Sequence, residues 1–168
     1  DFRDGLMIAM MAAVGLRRAE TVSIQLKDID FATNEITVEG KGQKQRTLTL
    51  PDCVAWRLNK YLDQYRGRDS GYLFNPIWVK QKAPAKDYLK TPLSLCSVNN
   101  RLERLRKMLP DNLQLAPHDL RRTCATDLCE AGMSMREIQV VLGHSSVVTT
   151  ERYILDETKD HREKAARL

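Results

Sequence analysis

No Cys-x-x-Cys pair occurs in this sequence, and no histidine stands at zinc-finger spacing from its four cysteines, Cys53, Cys96, Cys124 and Cys129. That excludes the common structural zinc modules. Cys124 and Cys129 are five apart, on different faces if helical, so reduced thiols in a cytoplasmic compartment are expected. No apolar run approaches the roughly 18 residues of a membrane span, and no signal peptide opens the chain; a membrane partner is not expected. A carboxylate cluster of the kind that holds catalytic metal is missing too, so no metal and no other cofactor is expected. An initiating methionine is also lacking, and the start at Asp1 reads as a fragment of something longer. What is present suffices for one domain across residues 1–168, with 42% hydrophobic residues to build a core. The balance of 27 Lys+Arg against 22 Asp+Glu, a net +5, favours a polyanionic partner. A solvated basic surface would account for it equally well.

The Met- and Ala-rich run from Phe2 to Val14 has helical character and predicts a largely buried helix that Gly15 ends. Ala19 to Leu26 predicts a second short helix. Glu35–Glu39 and Arg46–Leu50 are β-branched and alternating, and they read as strands joined by a Gly40–Gln45 hairpin loop. Lys27–Asp30 adds a third short strand with a turn at 31–34. Asp52 to about Arg66 predicts a helix whose buried face carries Val54, Leu58, Tyr61, Leu62 and Tyr65. Tyr72–Phe74 reads as a short strand and 75–92 as a surface loop. Ser94 caps a helix with a Leu95, Val98, Leu102, Leu105 and Leu109 stripe. Its other face, Arg101, Arg104, Arg106 and Lys107, is either DNA-facing or simply solvated. Three further helices follow, at about 118–131, 134–142 and 148–155, the second opened by a Ser134–Glu137 capping box. The charged 156–168 tail is helical in pattern. The expected fold class is α+β, mainly α, a helical domain with a small antiparallel sheet.

Four short stretches carry chemistry. Arg17 follows Gly15 in a sharp turn, where pairing with Glu20 would explain it without any function. Lys41, Lys44 and Arg46 make a basic hairpin tip suited to phosphate, or one that merely discourages edge pairing. His118 and Arg121 share one face of a helix's first turn, where backbone N–H groups favour an anion. Finally, Leu142-Gly143-His144 turns a corner, and Tyr153 follows nine residues after His144.

Taken in order, Gly-Leu-Arg with Glu20 downstream, the Gly40-Lys41-Gly42 hairpin, His118-x-x-Arg121, and Leu-Gly-His144 followed by Tyr153 resemble the catalytic domain of the tyrosine recombinases, the phage-integrase and Xer-like family. The resemblance runs from Arg17 to Tyr153. It implies that Arg17 and Arg121 bind the scissile phosphate, that Lys41 is the hairpin lysine, that His118 and His144 are the site histidines, and that Tyr153 is the nucleophile. Lys44, Arg46 and Arg122 would contact DNA. The resemblance also implies an N-terminal core-binding domain, which is expected to be missing from this fragment. The implied function is site-specific recombination, integration or excision, through a 3′-phosphotyrosyl intermediate, with no metal and no ATP. The implied partners are double-stranded DNA, further copies of the chain in a homo-oligomer (a tetramer on DNA) and an accessory DNA-bending protein, in the nucleoid-associated cytoplasm of a prokaryotic cell. Type IB topoisomerase-like relaxation shares the tyrosine chemistry, and a non-catalytic helix-turn-helix regulator built from 118–155 is the rival from another class.

Overall fold

The computed structural model describes residues 2–40, 44–76, 87–110 and 115–143. Helix α1 (Phe2–Ala13) is its pillar. Leu6, Met7, Met10 and Met11 recur at helical spacing and have no exposed surface, giving a stripe wide enough to be covered from several sides. The unbranched methionines fill irregular gaps between those neighbours. Helix α1 packs against α2 (Arg18–Ser23), α3 (Asp52–Tyr61) and α5 (Pro117–Glu130). It ends where the Val14 and Leu16 amides both donate to the Met10 carbonyl. Gly15 then turns the chain in the left-handed region, φ 69°.

The sheet is a three-stranded antiparallel meander of β1 (Ile29–Asp30), β2 (Glu35–Glu39) and β3 (Gln45–Thr49). Its register pairs Ile29 with Ile36 and Ile36 with Leu48, which puts all three on the buried face. Thr37 and Thr47 pair on the other face, their hydroxyls 3.2 Å apart. Because strand residues alternate between faces, Arg46 lies on the same inward side as Leu48, opposite Val38. Strand β3 starts one residue earlier than its β-branched pattern predicts.

Helix α3 departs from expectation at its end. Residues Leu62–Arg66 continue as a π-turn, closed by the Gly67 amide donating to the Leu62 carbonyl at 2.7 Å. The wider turn carries Tyr65 off the buried face, so Tyr65 is half exposed while Val54, Leu58, Tyr61 and Leu62 are buried. Tyr65 instead stacks on Phe2, with ring centroids 5.5 Å apart. Tyr72 makes only an isolated bridge to Gln25, but Leu73 and Phe74 beside it are fully buried.

Helix α4 (Leu95–Arg106) is capped by Ser94, whose Oγ accepts from the Ser97 amide. Its buried stripe is narrower than predicted. Val98 and Leu102 are buried, whereas Leu95 lies exposed at the first turn and Leu109 lies exposed beyond the last one. Helices α5 and α6 (Met135–Leu142) form a second small core of Cys124, Ala125, Ile138 and Leu142. Burial pushes the Cys124 thiol up to about 11, so it packs as a neutral group. Pro117 opens α5, Gly132 ends it at φ 89°, and the Ser134–Glu137 capping box opens α6 as expected. Helix α6 stops at Gly143, φ 62°, a left-handed cap that an L side chain resists. The predicted 148–155 helix and the 156–168 tail lie outside the described residues. Among the described residues no helix is long and apolar enough to cross a membrane.

Candidate active site

Two of the expected arginines meet at the C-terminal end of α6. Arg17 precedes α2, and its backbone amide donates to Glu20 Oε2 at 2.8 Å, the reciprocal half of a capping box. Its guanidinium forks. Nη1 donates to Glu20 Oε1 at 2.7 Å, and Nη2 donates to the Gly143 carbonyl at 2.6 Å. The pairing with Glu20 is therefore real, but it leaves the side chain about one-third exposed. It fixes Arg17 in direction without sealing it away.

Arg121 comes from α5 and is buried, 3% exposed. Its guanidinium donates to the Gly15 and Leu142 carbonyls. One residue thus ties together the α1–α2 turn, α5 and the end of α6. His118, one turn earlier on the same helix, is exposed. All three side chains line one open cleft of about 780 Å³, with Arg18 and Asn99 on its rim. Arg18 Nη1 donates to the Asn99 amide oxygen at 2.5 Å, joining α2 to α4 across that rim. The cleft offers guanidinium donors for a multiply bonded oxyanion and an imidazole within the same space.

The hairpin residues divide. Lys44 is exposed, at the base of the loop where the Gly40 amide donates to its carbonyl at 2.8 Å. Arg46, expected at the basic hairpin tip, is held within the protein instead. Its side chain is only 13% exposed. Nη1 and Nη2 donate to the two Glu20 carboxylate oxygens, each at 2.9 Å, and Nε donates to the Val141 carbonyl at 2.9 Å. The reason is parity, since a residue two before Leu48 on a strand faces inward with it. Arg122 is half-buried beside Arg121. Arg101, expected on a basic outer face of α4, turns inward and donates to Asp4 at 2.9 Å. Lys41, His144 and Tyr153 lie outside the described residues.

Glu20 is the electrostatic centre of this arrangement. Burial pushes its carboxyl pKa up, but hydrogen bonds from Arg46 and from the Arg17 backbone and side chain outweigh that and hold it at about 2. It remains a carboxylate at any working pH, bound by two guanidiniums. In the sequence Glu20 reads as a local partner of Arg17 and as part of the Gly-Leu-Arg stretch. Its second arginine comes from 26 residues away and left no mark in spacing. Among the described residues no three His, Cys, Asp or Glu side chains are grouped to hold a metal ion.

Comparisons with known proteins place the chain in one family. A profile of the phage integrase family matches residues 1–160. The chain is 32% identical over 166 residues to tyrosine recombinase XerA of Pyrococcus furiosus, covering 98% of this chain and 54% of that protein. It is 34% identical over 162 residues to tyrosine recombinase XerC of Psychromonas ingrahamii, covering 90% and 48%. The chain therefore spans about half the length of the curated relatives it matches. Among solved structures, a XerA recombinase crystal structure superimposes with a TM-score of 0.72 at 26% identity, over 96% of this chain and 58% of the other. A XerH site-specific recombinase bound to difH substrate shares the fold, with a TM-score of 0.68 at 22% identity over 90% and 42%.

Proposed function

Since the chain belongs to the phage integrase family, we propose that it breaks and rejoins double-stranded DNA in site-specific recombination. The observation that carries this is the convergence of Arg17 and Arg121, from two distant parts of the chain, on one helix end in a cleft that also holds His118. A scissile phosphate is the ligand whose chemistry fits. It is anionic before attack, and its non-bridging oxygens gain charge in the pentacoordinate transition state, where planar guanidiniums match them. The XerH relative of the same fold was solved on its difH substrate, consistent with a DNA-binding use of this cleft.

The proposed step begins with the Tyr153 phenolic oxygen attacking phosphorus. The new bond joins phosphorus to the tyrosyl oxygen, and the bond to the 5′ oxygen breaks. The phenolic proton passes to His118, and Lys41 supplies a proton to the departing 5′ oxygen, which would otherwise leave as a strongly basic alkoxide. His144 adds a hydrogen bond to the phosphate. The 3′-phosphotyrosyl link keeps the energy of the broken bond, so a free 5′ hydroxyl of a partner strand reverses the step and ATP is not needed. Exchange between duplexes requires more than one active site, which fits a homo-oligomer, a tetramer on DNA, assisted by a DNA-bending protein in the nucleoid.

Covalent capture tests the reading. On a pool of nicked duplexes with randomised sequence around the nick, the wild-type chain should form a protease-sensitive adduct. Tyr153→Phe should form none while binding DNA equally well, because only one oxygen is lost from an unchanged basic surface. An adduct from the Phe variant would refute the assignment of the nucleophile.

A further inference from the structure

The last two carbonyls of α6 and that of its cap are each held by a different arginine: Val141 by Arg46, Leu142 by Arg121 and Gly143 by Arg17. Two of these three belong to the proposed phosphate site. Arg46 stands apart, because unlike Arg17 and Arg121 it does not line the cleft, and its Nε, Nη1 and Nη2 are all engaged within the protein. From this arrangement we propose that Arg46 is a positioning residue for strand cleavage rather than a contact to DNA. It would act by locking three parts of the site together. The inference rests on the recombination reading above.

Each of the three connections is specific. Through its two Nη atoms Arg46 grips both oxygens of Glu20, and Glu20 in turn holds the Arg17 backbone amide and Nη1. Arg46 therefore aims Arg17 at second hand. Through Nε it holds Val141, three residues before His144 in the sequence. Through its own strand it anchors the hairpin, whose loop carries Lys41 five residues earlier. The guanidinium also lies flat against Gly143. A Cβ built there would stand 3.0 Å from Nη1, 3.1 Å from Cζ and 3.2 Å from Nε, so the left-handed glycine doubles as a seat for the arginine.

Arginine suits this task and lysine does not. A planar fork can satisfy a carboxylate with two parallel bonds and still donate Nε sideways to a carbonyl, whereas an ammonium is a single point of charge. Removing Arg46 would leave Glu20 buried with one arginine fewer, and Arg17 would follow the shifted carboxylate. A catalytic group displaced by about 1 Å can lose on the order of 10²-fold in rate. Overall duplex affinity, spread over the many phosphates of a basic surface, has no direct reason to fall, since Arg46 does not line the cleft.

The test measures adduct formation and DNA binding separately, on Arg46→Met, Arg46→Lys, Glu20→Gln and the Glu20→Gln/Arg46→Met double variant. The probes are the randomised nicked-duplex pool at saturating DNA and a generic duplex titrated across salt, at a temperature where every variant melts well above the assay. Expected is an adduct rate reduced by roughly 10–100-fold in both Arg46 variants, with duplex affinity and its salt slope unchanged. The double variant should be no slower than the slower single one, because the two residues act as a unit. Should Arg46→Met not fold, Arg46→Lys carries the test, since it keeps the charge and loses the fork. A salt slope shallower by about 1 in Arg46→Met, or in Arg46→Lys an adduct rate at the wild-type level, would make Arg46 a phosphate contact and overturn the proposal. Losses that multiply in the double variant would overturn the coupling through Glu20. A wild-type protein that forms no adduct at all removes the recombination reading and this inference with it, whereas a wild-type adduct with an undiminished Arg46→Lys adduct removes this inference alone.

Discussion

Replacing Gly15 by alanine should damage the junction on which Arg121 depends, and its size can be worked from the structure. Gly15 sits at φ 69°, where an L side chain costs about 1–2 kcal/mol through its Cβ. That Cβ would also press into Leu142 Cδ2 and stand 3.0 Å from Cys124 Sγ. Overpacking of this kind adds about 1–3 kcal/mol, for a total of roughly 2–5 kcal/mol against a typical domain stability of about 5–15 kcal/mol. Gly132 is the internal control. It too is left-handed, φ 89°, but nothing lies within 4 Å of a Cβ built on it. Gly132→Ala should therefore show only the backbone part, roughly 1–2 kcal/mol. The gain from a stiffer unfolded chain, about 0.4–1 kcal/mol, is shared by both variants and cancels in their difference. At about 2–4 °C per kcal/mol for a chain of this size, Gly15→Ala should lower Tm by roughly 4–20 °C and Gly132→Ala by roughly 2–8 °C. Leu142→Ala provides a second reading. Alone it should cost about 2–5 kcal/mol, and in the Gly15→Ala background distinctly less, since the truncation frees the space the new methyl needs. Urea titration of the four variants measures both quantities. Equal losses at Gly15 and Gly132, with additive behaviour toward Leu142→Ala, would refute the packing account of this junction.

Lys41→Ala should slow cleavage of ordinary DNA by about 10²–10⁴-fold, the usual worth of a general acid. The same variant should recover near wild-type rates when the bridging 5′ oxygen is sulfur, because a thiol's pKa of about 8.5 makes the thiolate a good leaving group without a proton. Arg17→Ala and Arg121→Ala should gain no such rescue, and a Lys41→Ala protein equally slow on both substrates would shift Lys41 to phosphate positioning. Glu20 gives a pH signature. Its folded pKa is depressed from 4.5 to about 2, so its stabilisation is fully present above the unfolded value and is lost as pH falls through the folded one. The difference in unfolding free energy between wild type and Glu20→Gln, read from urea titrations, should therefore narrow between pH 4.5 and about 2, by an amount on the order of 3 kcal/mol. A difference that stays constant across that window would show that the two arginines do not set the state of Glu20.

Much of this protein was legible in its sequence because the signals are local. The apolar spacing of Leu6, Met7, Met10 and Met11 demands a helix buried on a broad face, and the Met-rich run supplies it. The alternation in β2 and β3 and the Ser134–Glu137 box likewise fix elements through neighbours a few residues away. The order Arg17, Lys41, His118, Arg121, His144, Tyr153 points to phosphoryl chemistry through its resemblance to the tyrosine recombinases, and of these Arg17, His118 and Arg121 line one cleft. Tertiary structure decided which basic residues face the cleft. Arg46 and Lys44 are two apart on one hairpin, yet one is exposed and the other grips Glu20. Arg101 turned inward to Asp4, across 97 residues. The π-turn at Leu62–Arg66 moved Tyr65 to the surface, although its spacing matched the buried stripe. A guanidinium's partner is set by which carboxylate or carbonyl the packed elements bring within about 3 Å. That distance is a property of α1, α5, α6 and the sheet packed together, and no periodicity along the chain encodes it.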